Sequence, residues 1–243
     1  VGAVLLAGVS PTLAGAGPRA AGPAAPDLEV GFAQDRGSVR VVVSGPAAAV
    51  GEVVGSDGAV RWVPGPGGLG SAAQFPAPGR PAGAVVVRVA GGVDALSPGL
   101  RPFTISAEVR RDVGGEADGD NVLQRGLWND PGQYKLQLDG GHASCVVAGT
   151  RGRVIAEVEE EVVPGVWYRM TCRREDNTVR LTLRRLDLDG TWHATATGPI
   201  GSVRAASPAS PLTIGGKVGE TGEPTAYPDQ LNGAVAAVVV HIG

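Results

Sequence analysis

The sequence predicts an all-β domain, and three observations carry that prediction. Apolar and polar residues alternate with a period of two through most of the chain, as they do in strands covered on one side. Gly 39 and Pro 19 make up nearly a quarter of the 243 residues, yet they follow no collagen period and punctuate valine-rich runs, the habit of a turn-rich β protein. Helical spacing is almost absent. A long series of half-buried strands without helices closes only as a two-sheet sandwich or a barrel, and about 200 to 250 residues commonly form one such unit.

The first stretch, VGAVLLAGVSPTLAGAG, is apolar and closes on Ala14-Gly15-Ala16, a small-x-small arrangement like a signal-peptidase site. It reads as the remnant of a signal peptide over residues 1–16, with no initiator Met or basic n-region before it. It is too short to span a bilayer. GPRAAGPAAP then predicts a flexible linker over residues 17–27, and the folded domain is expected over 28–243.

Within that domain SVRVVVSG and AVVVRVAG read as strands. In PFTISAEVRRD, Phe103, Ile105, Ala107 and Val109 share one face while Thr104, Ser106, Glu108 and Arg110 share the other. YKLQLDGG repeats the pattern with Tyr134, Leu136 and Leu138 inward, and TVRLTLRRL does so with Val179, Leu181 and Leu183. AVAAVVVHIG closes the set. Glycines, prolines and Asp-Gly pairs bound the runs.

A net charge of −3, with arginines spread over strands and turns instead of gathered in one block, argues against broad affinity for nucleic acid or an anionic membrane. Only two cysteines occur, Cys145 and Cys172. For an exported chain the oxidising compartment makes their pairing the default, and closing that loop stabilises by about 3 to 4 kcal/mol in the chain-entropy treatment. Two buried thiols are the alternative. A zinc pair has little support, because there is no CxxC and His142, His193 and His241 are scattered singly.

In order and interval, the blocks NVLQRG, GQYKLQLDGG, SCVV, GVWYRMTCRRE, PLTIGGK and DQLNGAV resemble the laminin-G-like, concanavalin A-like domains of secreted bacterial proteins. The actinobacterial members, which carry a cysteine in each of two successive strands, are the most similar. The likeness covers about residues 100–243, and AVRWVPGPGGLGSAAQFP looks like the segment leading into the same fold. The resemblance implies a curved jelly-roll sandwich that recognises glycans, cell-wall material or partner proteins, sometimes with calcium at its rim. This chain departs from the family's pattern at Trp167-Tyr168, where a Trp-His pair is usual, and at Ala234-Val235-Ala236, where an acid often stands.

AEVEEEV, residues 156–162, asks whether the chain is an enzyme. Glu157, Glu159 and Glu161 share a parity, as do the acids of jelly-roll glucanases, but Glu160 occupies a position where those enzymes have an apolar residue. Retaining chemistry wants carboxyls about 5 Å apart, whereas alternate strand residues lie roughly 6.6 Å apart and the outer pair roughly 13 Å. The expected role is a charged edge or outer strand with Val154, Ala156 and Val158 facing the core, and Arg151, Arg153 and Arg169 as nearby counter-charges. There is no GxSxG elbow near the histidines, so no catalytic residue is assigned.

Candidate calcium ligands are Asp118, Asp120 and Asn121 in EADGDN, with Asp229, Gln230 and Asn232 in YPDQLNG, since oxygen donors of this kind suit calcium. Both loops are equally ordinary turn formers, and no cofactor is required. Candidate ligand-binding residues are the aromatics beside turns, Trp128, Trp192 and Tyr227, because the CH faces of sugars stack on flat rings. Trp62 and Trp167, in apolar alternating runs, are assigned to the core. The sequence thus points to a secreted, non-catalytic binding module for carbohydrate or a cell-surface partner, without nucleic acid or membrane insertion. A jelly-roll glycoside hydrolase or polysaccharide lyase, and a structural spacer without ligand, are the alternatives.

Overall fold

The computed structural model describes residues 25–35, 38–47, 49–56, 59–77, 80–89, 95–114, 119–204, 210–219 and 222–243. The expected signal-peptide remnant lies outside them, as does all but the end of the expected linker. Residues 25–27 form no strand, but Asp27 already belongs to the fold. Its carboxylate accepts a hydrogen bond from the Ile242 amide at 2.7 Å, and its carbonyl accepts one from Ala47 at 3.2 Å.

In chain order the strands are β1 (Leu28–Asp35), β2 (Ser38–Ser44), β3 (Ala49–Gly55), β4 (Arg61–Pro64), β5 (Ser71–Gln74), β6 (Gly83–Val89), β7 (Phe103–Arg111), β8 (Asp120–Arg125), β9 (Gln133–Asp139), β10 (His142–Gly149), β11 (Gly152–Glu161), β12 (Trp167–Glu175), β13 (Thr178–Arg185), β14 (Thr191–Thr197), β15 (Leu212–Ile214) and β16 (Gly233–Ile242). They form two antiparallel sheets packed as a jelly-roll sandwich, as predicted. One sheet has the order β1-β2-β4-β5-β16-β7-β12-β13-β14, and the other β11-β10-β9-β8-β15-β6-β3. Strand β16 carries β5 beside its first residues and β1 beside its last, with a register shift between Val235 and Val238 against β7.

The period-two pattern explains the layering. Phe103, Ile105, Ala107 and Val109 of β7 are all buried, as are Tyr134, Leu136 and Leu138 of β9 and Val179, Leu181 and Leu183 of β13, all in one continuous core. Each such side chain stabilises by about 1.5 to 3 kcal/mol relative to exposure. Cys145 on β10 and Cys172 on β12 are bonded, with Cα atoms 6.1 Å apart. The bridge crosses the sandwich from one sheet to the other, and β11 lies between the two strands in sequence.

A charged side chain closes one end of the inner face. Arg174, 2 % exposed, has the parity of Tyr168, Met170 and Cys172. Its guanidinium donates to the carbonyls of Asp176 (2.6 Å), Arg101 (3.0 Å), Gly201 (3.1 Å) and Gly99 (3.5 Å), tying three turns at one end of the sandwich.

Trp62 packs partly buried against the main core, as expected. Trp167 does not. Its neighbour Tyr168 takes the inward position, so Trp167 lies on the outer face of the nine-stranded sheet beside Ala72, Ala234 and Ala236, with the Arg110 guanidinium 5.4 Å from its ring centre.

Candidate functional site

The segment after β15 returns across the outer face of the seven-stranded sheet. Val218 packs on Ala84 and Val86, the outward residues of β6, and Lys217 and Leu231 bond to Pro228 and Gly215 at 2.8 and 2.9 Å. Because this segment covers only part of the sheet, a cleft of about 510 Å³ is left beside it, within the size range of ligand sites. Its floor is formed by polar outward residues of β8 and β9, namely Gln124, Gln133, Lys135 and Gln137, and its rim includes Trp128 and Tyr227.

Trp128 belongs to the β8–β9 loop. The turn is closed by the Asp130 carboxylate, which accepts the Leu127 amide at 2.8 Å. At its base Gly126 has φ +79°, where a Cβ would collide with the Gly132 carbonyl, so only glycine serves. The Gly126 carbonyl also accepts two of the floor amides, from Gln124 at 2.8 Å and Gln133 at 3.3 Å. Arg153 stacks 3.4 Å from the Trp128 ring centre and donates to the Trp128 carbonyl, a contact worth about 0.5 to 1 kcal/mol at an exposed site. Trp128 is nevertheless 62 % exposed, and Tyr227 is 82 % exposed.

Asp229 adds charge to the cleft. It is one of two non-glycine residues with positive φ among those described, at +45°, a conformation that stores strain. Its carboxylate lies 3.0 Å from the Lys217 ammonium and 3.6 Å from that of Lys135. Burial lowers the pKa of Lys135, and the charge of Asp229 opposes that shift.

The two turns proposed for calcium do come together. Asn121 N donates to the Asp229 carbonyl at 2.9 Å, and Asn232 N donates to Asp120 Oδ2 at 3.4 Å. Most of the donor set is already committed, however. Asp229 holds two lysines; Gln230 accepts from Gly83 N at 3.0 Å and donates to the Gly215 carbonyl at 2.5 Å; Asn232 Nδ2 donates to the carbonyls of Asp112 and Val113. Asp118 lies outside the described residues. Asp120 Oδ1 and Asn121 Oδ1 are buried without a partner, two side-chain oxygens where calcium takes about six to eight ligands. The described residues do not fit a calcium shell. Burial instead raises the Asp120 pKa to about 6, against the lowering effects of the Asn232 amide, Arg111 and Lys135.

Trp192 stands apart from the cleft. It lies on β14 on the inner side, with its ring centre 6.4 Å from that of Tyr168, and is a partly buried lid over the core. The alternation of TWHATAT, which turns Trp192, Ala194 and Ala196 inward, outweighs the neighbouring turn. The acid run is the solvent face of an edge strand, since β11 ends the seven-stranded sheet, and Val154, Ala156 and Val158 are buried as expected. Glu160, which has the core-facing parity, is nevertheless exposed. A bulge opposite His142 and Ser144 turns it outward, and no turn residue in the run signals it. The expected counter-charges differ too. Glu161 pairs with Arg111 at 3.3 Å, Arg169 pairs with Glu108 at 2.5 Å, and Arg153 stacks on Trp128.

Sequence reasoning missed the cleft floor. Its only signal was the polar parity Gln133, Lys135, Gln137 in GQYKLQLD, which reads equally as an ordinary wet face.

No protein-family model matches this chain, and no curated protein matches it by sequence. Solved structures share its fold. The binding domain of Paraclostridial Mosquitocidal Protein 1 aligns with TM-score 0.59 at 12% identity, over 89% of this chain and 48% of that one. The binding domain of botulinum neurotoxin serotype D/C VPI 5993 aligns with TM-score 0.58 at 11% identity, over 89% and 48%. Tailspike protein 2 of Escherichia coli O157:H7 bacteriophage CAB120 aligns with TM-score 0.53 at 14% identity, over 79% and 26%. This chain therefore spans about half of the toxin domains and about a quarter of the tailspike. At such identities the likeness is one of fold.

Proposed function

We propose that this domain is a secreted, laminin-G-like binding module that holds a carbohydrate in the cleft on the outer face of the seven-stranded sheet and does so without catalysis. One observation carries the reading. Two loops remote in sequence bring exposed aromatic rings, Trp128 and Tyr227, to one cleft whose floor is lined by glutamine amides and a lysine–aspartate group. Flat rings stack on sugar CH faces, and amides and charged groups at fixed positions take the hydroxyls. The left-handed backbone at Asp229 holds that carboxylate between its lysines, which orients the polar floor before a ligand arrives. The disulfide supports an oxidising, extracellular setting. The toxin domains that share the fold are themselves described as binding domains, which favours recognition over chemistry. Binding is calcium-independent in this reading, because the rim carboxylates are engaged by lysines and backbone amides.

A glycan array probed with the purified domain, with calcium and then with chelator, tests the proposal. Expected is binding to a restricted glycan set, unchanged by chelator and weakened tenfold or more in Trp128→Ala and in Tyr227→Ala. Absence of any glycan binding, or full binding in both variants, would overturn it.

A further inference from the structure

We propose a second binding face, on the opposite side of the sandwich, for an acidic polysaccharide. Outward residues of β12 and β13 pair so that Arg169 stands opposite Arg184, Thr171 opposite Thr182, and Arg173 opposite Arg180. Four exposed guanidiniums therefore frame two hydroxyls. The central row continues on both sides, with Ser106 of β7 opposite Thr171 and His193 of β14 opposite Thr182, and Thr182 Oγ1 lies 3.1 Å from His193 Nδ1.

This arrangement works against the sheet's own stability. Like charges directly opposite across strands are destabilising, and here the register opposes arginine to arginine at two positions, on either side of the threonine pair. Local carboxylates compensate only in part. Glu108 pairs with Arg169, and Glu175 is shared by Arg173 at 2.6 Å and Arg180 at 2.8 Å. Arg184 has no ion pair among the described residues. Two carboxylates thus serve four guanidiniums on a chain whose net charge is −3, so the face is positive while the molecule is not.

An anionic occupant relieves the excess. Guanidinium forks bind carboxylate and sulfate oxygens bidentately, and the hydroxyl row between them takes sugar hydroxyls. Strand spacing sets the two arginine pairs about 13 Å apart along the strands, so a chain molecule with repeated anionic groups spans both. A polysaccharide fits better than nucleic acid, because no Trp, Tyr or Phe projects outward from β13 or β14 to stack on bases. Trp167, at the end of the face, is already covered by Arg110.

The test is binding of the purified domain to immobilised heparin and polygalacturonate at low and raised salt, with dextran, polyglutamate and single-stranded DNA as comparators. Expected is salt-sensitive binding to at least one acidic polysaccharide and none to dextran. Arg169→Gln/Arg184→Gln should weaken it at least tenfold, Arg169→Lys/Arg184→Lys should weaken it less, and Arg40→Gln/Arg151→Gln, which removes two exposed charges elsewhere, should leave it unchanged. No binding to either polysaccharide, tighter binding to DNA or polyglutamate, or equal losses in the two glutamine pairs would overturn the proposal. Because none of these variants touches the cleft, failure here leaves the glycan-array result intact, and the reverse also holds.

Discussion

Cys145 and Cys172 link the two sheets through the centre of the core, each 0% exposed, 27 residues apart in sequence. The bridge joins layers that otherwise hold together by apolar packing alone at that point. A double Cys→Ala variant should lose about 3 to 4 kcal/mol of unfolding free energy, measured by chemical denaturation against the oxidised protein. A loss below about 1 kcal/mol would show that core packing alone fixes the sheets.

Arg174 should be among the least replaceable polar residues. Four backbone carbonyls accept from its guanidinium. That of Gly99 keeps a second donor, the Val203 amide at 2.9 Å. Arg174→Met takes the guanidinium from the other three, of which that of Gly201 is buried, at about 1 to 3 kcal/mol for each group left unsatisfied. A total loss of about 3 kcal/mol or more is expected, and Arg174→Lys, which keeps the charge but not the fork, should recover only part.

Asp120 makes stability depend on pH in the opposite direction from a salt-bridged acid. Its pKa is raised from 3.8 to about 6 in the fold, so between those values the folded state binds more protons than the unfolded one, and stability falls as pH rises. The contribution is on the order of 3 kcal/mol, present below about pH 4 and lost above about pH 6. Asp120→Asn keeps an acceptor for the Asn232 amide and should flatten this part of the pH profile, gaining stability at neutral pH. Denaturation curves at pH 4.5 and pH 7.5 check both the sign and the difference.

The acid run of β11 should prove expendable. Replacing Glu157, Glu159 and Glu161 together by glutamine removes one exposed pair, to Arg111, worth about 0 to 1 kcal/mol, and also removes mutual repulsion. Stability should stay within about 1 kcal/mol. Hydrolysis of β-glucans by the unaltered protein, lost in the triple variant, would overturn the non-catalytic reading.

Much of the fold was legible because strand faces are written locally. Phe103 to Val109, Tyr134 to Leu138 and Val179 to Leu183 announce their inward sides by parity, and even the lid role of Trp192 follows from TWHATAT once parity is weighed above its turn. Glu160 was not legible. Its parity points inward, and only the pairing of β10 with β11 shows the bulge that carries it out.

The sequence by itself determined which residues share a face, the all-β class and the presence of three ring candidates beside turns, Trp128, Trp192 and Tyr227. Only the tertiary structure decided that Trp128 and Tyr227 meet in one cleft, that Asp229 serves lysines, and that arginine faces arginine across β12 and β13. The physical reason is range. Side-chain alternation is fixed by backbone geometry within a few residues, whereas register and loop placement follow from burying one shared core drawn from strands more than a hundred residues apart.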